Sequence, residues 1–575
     1  MSFKIKKLPD IIIITALTTI IGILAGFGAI LTEYLVEIVH HSFFEQKLWG
    51  LLDWAGDYYI IIIPAIGGII FGTIIINFAR DARGHGVSEV LEAVAVRGGR
   101  IPPKVGVVKS ISSAFCIGTG GSVGLEGPIA QIGAAIGSNI GQLFHLTEER
   151  IRLFLACGAG AGIAATFHAP ITGSIFAIEI ILGHLEARYF SAVVISAVIA
   201  DTIAQFYKTS LLTVPIYNLV SVWELFLYSI LGVIIALGAM AFIKVLHSME
   251  NFWEKLPISD YLKPVLGGAL LGIIGMIVFF QVDGTPRFFG IGYQSINDAL
   301  NGELVIELII ALFVIKIFTT SLTLGSGGSG GTFTPSLFMG AMLGGSFGHL
   351  VNTWFPMLTA PAGAYALVGM AAFFAGAAHA PLTSIILAIE LTGNYTLILP
   401  IMLATVTSTL VTSSIHPHSM YTMKLAQRGI KVRRSEPGHE LDLMETITVG
   451  EAMTKQVETV SLTISLIDLI DKFNQSNHRG FPVVTEDGEL MGIVSIKDLD
   501  NAIASGNIKG RAVSEIATTD VLTAYPYEPM KLALERLALR DISRLPVVQE
   551  QGSRKLVGIL LRKDIINSYR ENARV

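Results

Sequence analysis

The sequence predicts an α-helical polytopic membrane protein, built from two inverted repeats with broken helices and followed by a cytoplasmic α/β tail. Hydrophobic residues make up 52% and charged residues 15% of the 575 residues, whereas soluble proteins are about 25% charged. The mean hydropathy is +0.63. Long apolar runs recur over the first three quarters of the chain, and several sequence blocks recur within it.

Charge divides the chain near Lys424. Residues 424–575 contain 42 of the 85 charged residues. We therefore expect a membrane domain over 1–423, a linker over 424–447 and a soluble tail. The net charge of -5 and the pI near 6.2 give no basic excess, which argues against a nucleic-acid partner.

Other function classes lack their signatures. Cys116 and Cys157 both lie in apolar segments, so an extracellular disulfide framework is not expected. The sequence has no CxxC or HExxH spacing for a metal, and no triad or cofactor motif, so an enzyme is not expected.

The apolar runs are candidates for membrane spans, each of which needs about 20 residues. The first run is too long for the h-region of a signal peptide. The basic residues Lys4, Lys6 and Lys7 and the basic loop 80–104 place the N-terminus and the tail in the cytoplasm. The expected runs are 11–40, 58–78, 129–145, 151–183, 190–206, 222–247, 264–282, 304–324, 335–350, 363–392 and 396–415.

The membrane part is duplicated, with halves at about 60–206 and 264–415. The block that begins His168-Ala169-Pro170 and ends at Glu179 recurs from His379-Ala380-Pro381 to Glu390. Lys109 and the glycines nine residues later recur as Lys316 and its glycines. Duplicated halves with broken helices are typical of transporters that bind substrate at the repeat interface.

The glycine-rich segments have more than one interpretation. A phosphate-binding loop lacks its motif, and helix packing by small residues explains Gly158, Gly160 and Gly162. A helix that begins inside the bilayer is a third interpretation, because Gly127-Pro128 and Thr334-Pro335 place proline in the first turn. The free N–H groups at such a helix start hold anions.

The chain resembles the CLC family of chloride channels and chloride/proton antiporters. Gly84-His85-Gly86-Val87-Ser88 is similar to the family motif GSGIP, and Gly124-Leu125-Glu126-Gly127-Pro128 is similar to GREGP. Gly331-Thr332-Phe333-Thr334-Pro335 is similar to GIFAP, and Met420-Tyr421-Thr422 resembles the segment that carries the family's central tyrosine.

The resemblance implies an anion path in each subunit of a homodimer, with chloride as the transported ligand and no required cofactor. Glu126 would be the gate, which competes with the anion and is released by protonation, and Tyr421 would close the central site with it. A plain helix cap is the alternative for Glu126, and a bare tyrosine in this position is typical of a membrane interface. The implied anion-binding residues are His85, Gly86, Val87, Leu125, Glu126, Gly127, Thr332, Phe333 and Tyr421.

Two residues depart from the family pattern. His85 stands where serine is usual, and it either contributes its ring to chloride binding or turns the ring away. Ile180 stands at the inner proton-site position, and it cannot carry a proton. Ile180 therefore favours a channel, while Glu126 leaves a weakly coupled or rerouted antiporter as the alternative. Glu179 and Glu390 are expected to make matching helix-end hydrogen bonds, and His168 and His379 to be structural.

The tail is also duplicated. Phe481-Pro482-Val483-Val484 recurs as Leu545-Pro546-Val547-Val548, and each unit reads as helix, strand, turn, strand, helix. This resembles a tandem CBS pair, at 448–505 and 511–572. In that family a serine and an aspartate can hold an adenosine ribose, which implies an adenine nucleotide at Ser495 and Asp498 and less completely at Asp564. Helix capping within a dimerising tail is the alternative.

The sequence therefore predicts a multi-pass protein of the cell membrane that moves chloride, with membrane lipid around it and protons as a further candidate substrate. A CBS-regulated cation transporter is the alternative from another class. It is disfavoured because helix N-termini, rather than carbonyls or acids, point at the expected site.

Overall fold

The computed structural model describes residues 10–47, 50–183, 187–207, 215–281, 287–393, 395–430, 443–476, 478–506, 508–540 and 542–572. They fall into two compact units, one within Met1–Arg434 and the other within Ser435–Val575. The basic residues at 4–7 and positions 431–442 of the expected linker lie outside the described residues.

The first unit is helical, and its first repeat comprises eight helices in the described residues. Its long apolar helices are interrupted by short ones that start after glycine or proline. The helices are α1 Asp10–His40, α2 Tyr59–Phe78, α3 Val87–Val96, α4 Pro103–Gly118, α5 Glu126–Leu143, α6 Glu148–Phe167, α7 Pro170–Phe176 and α8 Ala187–Ala204. A π-helical turn, Ala177–Leu182, extends α7.

The second repeat follows the same order of helices, from α9 to α16, and a short helix α17 closes the unit. These helices are α9 Glu224–Lys255, α10 Leu262–Gln281, α11 Tyr293–Asn301, α12 Ile306–Gly325, α13 Phe333–Trp354, α14 Ala362–Ala378, α15 Pro381–Thr392, α16 Ile398–Ile415 and α17 Met423–Gln427. Each element from α1 to α8 thus has a counterpart eight elements later.

Two of the expected apolar runs each contain two helices. The run 151–183 is divided between α6 and α7, and 363–392 between α14 and α15. At each break a histidine, His168 or His379, adopts the left-handed conformation with φ of 52° or 56°. The next helix then begins at a proline, which fits the first turn of a helix but not its interior.

Close helix packing explains the glycines of the membrane unit. A Cβ on Gly133 of α5 would overlap the carbonyl of Gly158 of α6, and the reverse also holds. Gly340 of α13 and Gly369 of α14 repeat this contact in the second half. The predicted packing role of Gly158 is confirmed, because a larger residue would push the two backbones apart.

Seven helical stretches in the described residues are long and apolar enough to cross a membrane. One of the seven, α6, is mostly buried, and the shorter apolar helix α14 is buried along its whole length. The spans are Ile11–Glu45, Asp53–Phe78, Glu148–Phe167, Glu224–Lys255, Leu262–Phe280, Ile306–Gly325 and Ile398–Ile415. The membrane part of the predicted fold class is confirmed.

The second unit contains two small α/β repeats, as predicted. In the first, β1 runs parallel to β2 and β2 antiparallel to β3; in the second, β4 and β5 are antiparallel. The β2–β3 and β4–β5 pairs share a register with a bulge at Val484 and Val548. The elements are α18 Leu443–Thr446, α19 Val449–Ala452, β1 Val460–Ser461, α20 Leu466–Gln475, β2 Gly480–Val484, β3 Leu490–Ser495, α21 Ile496–Ala504, α22 Met530–Leu539, β4 Arg544–Val548, β5 Leu556–Leu561 and α23 Arg562–Asn572.

Candidate functional site

Three helix N-termini converge in the interior of the membrane unit. Helices α3, α5 and α13 each begin directly after a glycine-rich loop. The loops of the two repeats pair with each other: Gly84 donates its N–H to Gly328 O (3.1 Å), and Gly124 and Gly331 exchange N–H···O bonds of 2.9 and 2.6 Å. The site is therefore built at the repeat interface.

Glycine is required where these loops cross. A Cβ on Gly127 would overlap the carbonyl oxygen of His85, and a Cβ on Gly86 would overlap the carbonyl of Gly127. Gly86 also has a φ of 88°, a conformation that other residues rarely adopt. The close approach brings the start of α3 against the first turn of α5.

Two buried lysines hold the loops in place. Lys109 Nζ donates to the carbonyls of Ala82 (3.0 Å) and Gly84 (2.7 Å). Lys316 Nζ makes the matching bonds to Phe288 (3.0 Å) and Gly290 (3.1 Å) in the other repeat. Both lysines are fully buried, so the carbonyls replace the water that an ammonium requires.

Glu126 lies in the first turn of α5 and is fully buried. Its carboxylate accepts hydrogen bonds from the Thr334 hydroxyl, from the Thr334 N–H (3.5 Å) and from the Tyr293 hydroxyl (3.4 Å). Thr334 belongs to the first turn of α13. The carboxylate of one repeat therefore lies at the helix N-terminus of the other, where backbone N–H groups attract an anion.

Tyr421 and Thr332 are each 1% exposed. Among the described residues, neither the Tyr421 hydroxyl nor the Thr332 hydroxyl has a hydrogen-bond partner. Tyr421 is held through its backbone, because its carbonyl accepts from the Ser88 hydroxyl (2.8 Å). Buried hydroxyls without partners are costly, so an anion that accepts both hydrogen bonds fits here.

Both ring nitrogens of His85 lie near polar side chains. Its Nδ1 lies 3.0 Å from the Ser88 hydroxyl, and its Nε2 lies 3.4 Å from a carboxylate oxygen of Glu250. Glu250 belongs to α9, in the second repeat. Lys424 is also close, with its Nζ 3.5 Å from Glu89 and 3.9 Å from Glu250.

Of the implied anion-binding residues, the structure places His85, Gly86 and Val87 at the start of α3, and Leu125, Glu126 and Gly127 at the start of α5. Thr332 and Phe333 lie at the start of α13, and Tyr421 lies just before α17. The rings of Phe333 and Phe374 have centroids 3.9 Å apart, so the Phe333 side chain is part of the core and its N–H is the group that an anion can use.

Ile180 is 4% exposed and lies in the π-helical turn after α7. The neighbouring Glu179 makes the expected helix-end hydrogen bonds, from the N–H groups of Leu382 (3.1 Å) and Thr383 (2.7 Å) at the start of α15. In the same way, Glu390 accepts hydrogen bonds from the N–H groups of Ile171 (2.9 Å) and Thr172 (2.6 Å) at the start of α7. These reciprocal bonds relate the two repeats by a two-fold arrangement.

His168 lies 3.2 Å from a carboxylate oxygen of Asp201 through its Nδ1. Within the described part of the chain, no group of three or more His, Cys, Asp or Glu side chains could hold a metal ion. His168 and His379 end α6 and α14 in the same left-handed conformation, which is a structural role.

A cavity of about 1010 Å³ adjoins Tyr293, whose hydroxyl contacts Glu126. Gly290, Ile291 and Gly292, the counterparts of Gly84, His85 and Gly86, border it. Glu126 itself does not line the cavity, and Tyr293 lies between the two.

In the tail, the candidate nucleotide residues act as helix caps. Asp498 accepts from the Ser495 N–H (2.8 Å) and hydroxyl (2.6 Å), while Asp564 accepts from the Leu561 N–H (3.1 Å) and has no hydroxyl at the matching position. Arg544 begins β4, and burial, together with the nearby Arg479, lowers the pKa of its guanidinium. A phosphate between the two arginines would relieve that repulsion.

Sequence reasoning missed Tyr293, Thr334, Glu250 and Lys424 as contacts of the site. Thr334 was noted only as the residue before Pro335, although it lies one residue beyond the counterpart of Glu126. Glu250 had a usable signal: it is an acidic residue near the end of a long apolar helix, and such residues are usually functional.

Comparison with known proteins decides the family. The family model described as "Voltage gated chloride channel" matches residues 67–413. The chain belongs to the voltage-gated chloride channel family. CBS domains match at residues 449–505 and 513–571, and chloride transport of the CLC type is the class of function of this chain.

Two relatives of this CLC chain carry different names. It is 31% identical over 429 residues to the "H(+)/Cl(-) exchange transporter ClcA" of Vibrio cholerae serotype O1. The match covers 72% of this chain and 89% of the relative. It is 27% identical over 421 residues to the "Voltage-gated ClC-type chloride channel ClcB" of Escherichia coli. The match covers 72% of this chain and 99% of the relative.

Solved structures share the CLC fold. A "slow cyanobacterial Cl-/H+ antiporter" superposes with a TM-score of 0.66 at 24% identity, over 72% of this chain and 97% of its own. A "eukaryotic CLC transporter" gives a TM-score of 0.62 at 20% identity, over 96% of this chain and 97% of its own.

Proposed function

We propose that chloride crosses the membrane through the meeting point of α3, α5 and α13, and that Glu126 is the gate. One observation carries this proposal. The Glu126 carboxylate already occupies an anion position, because it accepts the N–H and the hydroxyl of Thr334 at the start of α13. A chloride ion and this carboxylate would compete for the same donors.

Protonation is the step that opens the path. A protonated carboxyl has no charge to be held by the helix N-terminus, and it keeps fewer acceptor positions than a carboxylate. It would therefore leave Thr334 and Tyr293 and admit chloride. The large cavity beside Tyr293 supplies the water through which the proton reaches Glu126.

The central chloride would be held by hydroxyls and backbone N–H groups. The Tyr421 and Thr332 hydroxyls lack partners within the described residues, and the N–H groups at the start of α13, Phe333 included, are not used by the helix itself. The backbones of His85, Gly86, Val87, Leu125 and Gly127 line the same meeting point. Tyr421 would thereby gate the central site on the side opposite Glu126.

We favour channel-type conduction, because Ile180 offers no proton-binding group beside Glu179. Chloride/proton antiport is the second candidate, and the contact between His85 and Glu250 favours it. Names of relatives include both an exchange transporter and a channel.

The remaining proposals concern the organisation of the protein. We propose a homodimer with one path in each subunit, a membrane domain over 1–423, a linker over 424–447, and CBS units at 448–505 and 511–572. The N-terminus and the tail face the cytoplasm, as the basic residues within 80–104 indicate. An adenine nucleotide at Ser495 and Asp498 would act on the tail.

Flux measurements on a Glu126→Gln variant test the gate. Chloride efflux from proteoliposomes should lose its dependence on pH, because the amide is uncharged at every pH. Glu148→Gln is the matched control, since Glu148 also lies in the first turn of a helix but is exposed. A Glu126→Gln protein that keeps the wild-type pH profile would contradict the gate.

The mode of transport is tested by the reversal potential under combined chloride and pH gradients. A channel reverses at the chloride potential whatever the pH gradient. An antiporter shifts its reversal potential when only the pH gradient changes, and that outcome would replace the channel proposal by the second candidate.

A further inference from the structure

A buried imidazole and a largely buried carboxylate from different repeats meet at the start of α3. His85 is 0% exposed, and its Nε2 lies 3.4 Å from Glu250 Oε1. Within the described part of the chain, this nitrogen makes no directed hydrogen bond. The chloride path described above does not use Glu250.

The hydrogen bonds around His85 determine which ring nitrogen can take up a proton. The Ser88 hydroxyl donates to the carbonyl of Tyr421 (2.8 Å). Its oxygen therefore accepts from the His85 Nδ1–H, 3.0 Å away. In the neutral ring the other nitrogen, Nε2, then carries a lone pair.

A lone pair facing a carboxylate oxygen is repulsive, whereas a proton on Nε2 turns the same contact into an ion pair. Opposite charges at this distance attract strongly when water is largely excluded. Glu250 is 14% exposed in its side chain, so the pair is buried but can exchange protons with water.

Other charged groups surround the pair. His247, one turn earlier on α9, has its Nε2 3.9 Å from Glu250 Oε2. Lys424 of α17 lies between Glu250 and Glu89 of α3, and Lys109 of α4 is bound to the carbonyl that precedes His85. Glu89 and Lys424 also border a cavity of about 120 Å³, which gives the cluster an approach for water.

We infer that His85 and Glu250 form a second proton-binding site of the anion path, in addition to Glu126. The inference rests on the proposed function, because the site matters only if chloride passes Tyr421 and the start of α3. The step is a simple protonation: a hydronium ion that reaches the partly exposed Glu250 gives its proton to Nε2, imidazole becomes imidazolium, and Glu250 stays a carboxylate. Deprotonation returns the proton to water.

The added positive charge lies next to the proposed chloride path, because the carbonyl oxygen of His85 is in close contact with Gly127. An imidazolium beside Tyr421 attracts chloride into the central site, and its loss leaves Glu250 as a repulsive negative charge nearby. Acidification on this side of the membrane should therefore raise chloride flux. In an antiporter the same proton would be the one exchanged for chloride on this side.

Chloride flux through a planar bilayer, with the pH set independently in the two chambers, tests the inference. In the full-length wild type, acidification of one chamber should raise the chloride flux. This rise should not depend on Glu126. His85→Ser should conduct but lose this rise. Glu250→Gln should keep the rise but move its midpoint by about one pH unit or more towards acid, because the imidazolium loses its counter-charge.

Glu254→Gln is the matched control, since Glu254 lies one turn further along the same helix and is exposed. A His85→Ser protein that conducts and keeps the wild-type response to both chambers would overturn the inference. So would an unshifted midpoint in Glu250→Gln, which remains measurable if His85→Ser does not fold. Glu126→Gln in the same bilayers reports on the gate separately: its failure to change any pH response overturns the proposed function and leaves the assignment of His85 to be decided by its own variant.

Discussion

The two repeats share some buried polar residues and differ in others, and the difference separates structure from chemistry. Glu179 and Glu390 make the same bonds to each other's repeat, and Lys109 and Lys316 clamp matching carbonyls. In contrast, Glu126 has Phe333 as its counterpart, and His85 has Ile291. Residues kept in both repeats hold the backbone, and residues present in one repeat are those that we propose as the protonatable groups of the path.

The largest expected effect is on stability, at the shared glutamates. Glu179→Ala and Glu390→Ala each leave two N–H groups and one threonine hydroxyl without their acceptor. Hydrogen bonds to a charged group are worth about 1.5–3 kcal/mol each, so each variant should lose about 3 kcal/mol or more of stability. Thermal unfolding in detergent measures the loss.

If the two repeats are equivalent at these glutamates, Glu179→Ala and Glu390→Ala should lose similar amounts of stability. Glu179→Gln and Glu390→Gln serve as milder controls, because the amide oxygen can still accept from one N–H. If only Glu179→Ala were destabilised, the two-fold interpretation of these residues would fail.

The second effect is on chloride binding at the central site. Tyr421→Phe and Thr332→Val each remove one unpartnered hydroxyl, and each should weaken chloride binding by about 1.5–3 kcal/mol, which is the value of one hydrogen bond to a charged group. Titration calorimetry measures the affinity. Tyr228→Phe is the control, because the Tyr228 hydroxyl is also buried without a hydrogen-bond partner among the described residues but stacks on Tyr365, away from the site.

A smaller effect is expected at Phe333, the counterpart of Glu126. Its ring packs on Phe374 (3.9 Å) and Phe167 (4.9 Å) between centroids. Phe333→Leu should cost about 1 kcal/mol of stability, since aromatic pairs are worth about 0.5–1.5 kcal/mol beyond their burial. Because its N–H remains, the pH profile of chloride flux should be unchanged. A changed profile would mean that the ring itself belongs to the gate.

Much of the fold could be predicted from the sequence, because apolar runs and repeated blocks report directly on burial. The helix starts at Pro170 and Pro381 were expected from their prolines, but the left-handed conformation of His168 and His379 was not, since it leaves the hydropathy of the run unchanged. Helix α4 was missed for the opposite reason: its serines and Lys109 lower its hydropathy, although it lies in the core.

The site could be predicted only in part. Glu126 and the helix starts follow from glycine, proline and one acidic residue close together in sequence. The Glu250 contact joins residues 165 positions apart, and the sequence of a long apolar helix does not say which loop an acid near its end will meet. Tyr421 was singled out only by the family resemblance of its segment, because the residues around it are polar and typical of an interface.

The last and smallest effect concerns the tail, where the two repeats also differ. Asp498 is joined by the Ser495 hydroxyl (2.6 Å), whereas Asp564 has Leu561 at the matching position. Both aspartates cap helices, so alanine at either should cost about 1 kcal/mol without any ligand. The informative quantity is therefore the rise in melting temperature that a nucleotide produces in each variant.

A nucleotide that binds only the folded tail stabilises it by about 2.7 kcal/mol at a concentration 100 times its Kd. ATP or AMP at millimolar concentration should therefore raise the melting temperature of residues 435–575, which contain both of the tail's hydrophobic cores. Asp498→Ala should abolish the rise, while Asp564→Ala should retain most of it. Equal losses in both variants would mean that the Ser495 hydroxyl does not distinguish the two repeats. A tail that neither nucleotide stabilises would leave helix capping as the role of both aspartates, and the asymmetry of the tail would then have no part in regulating chloride flux.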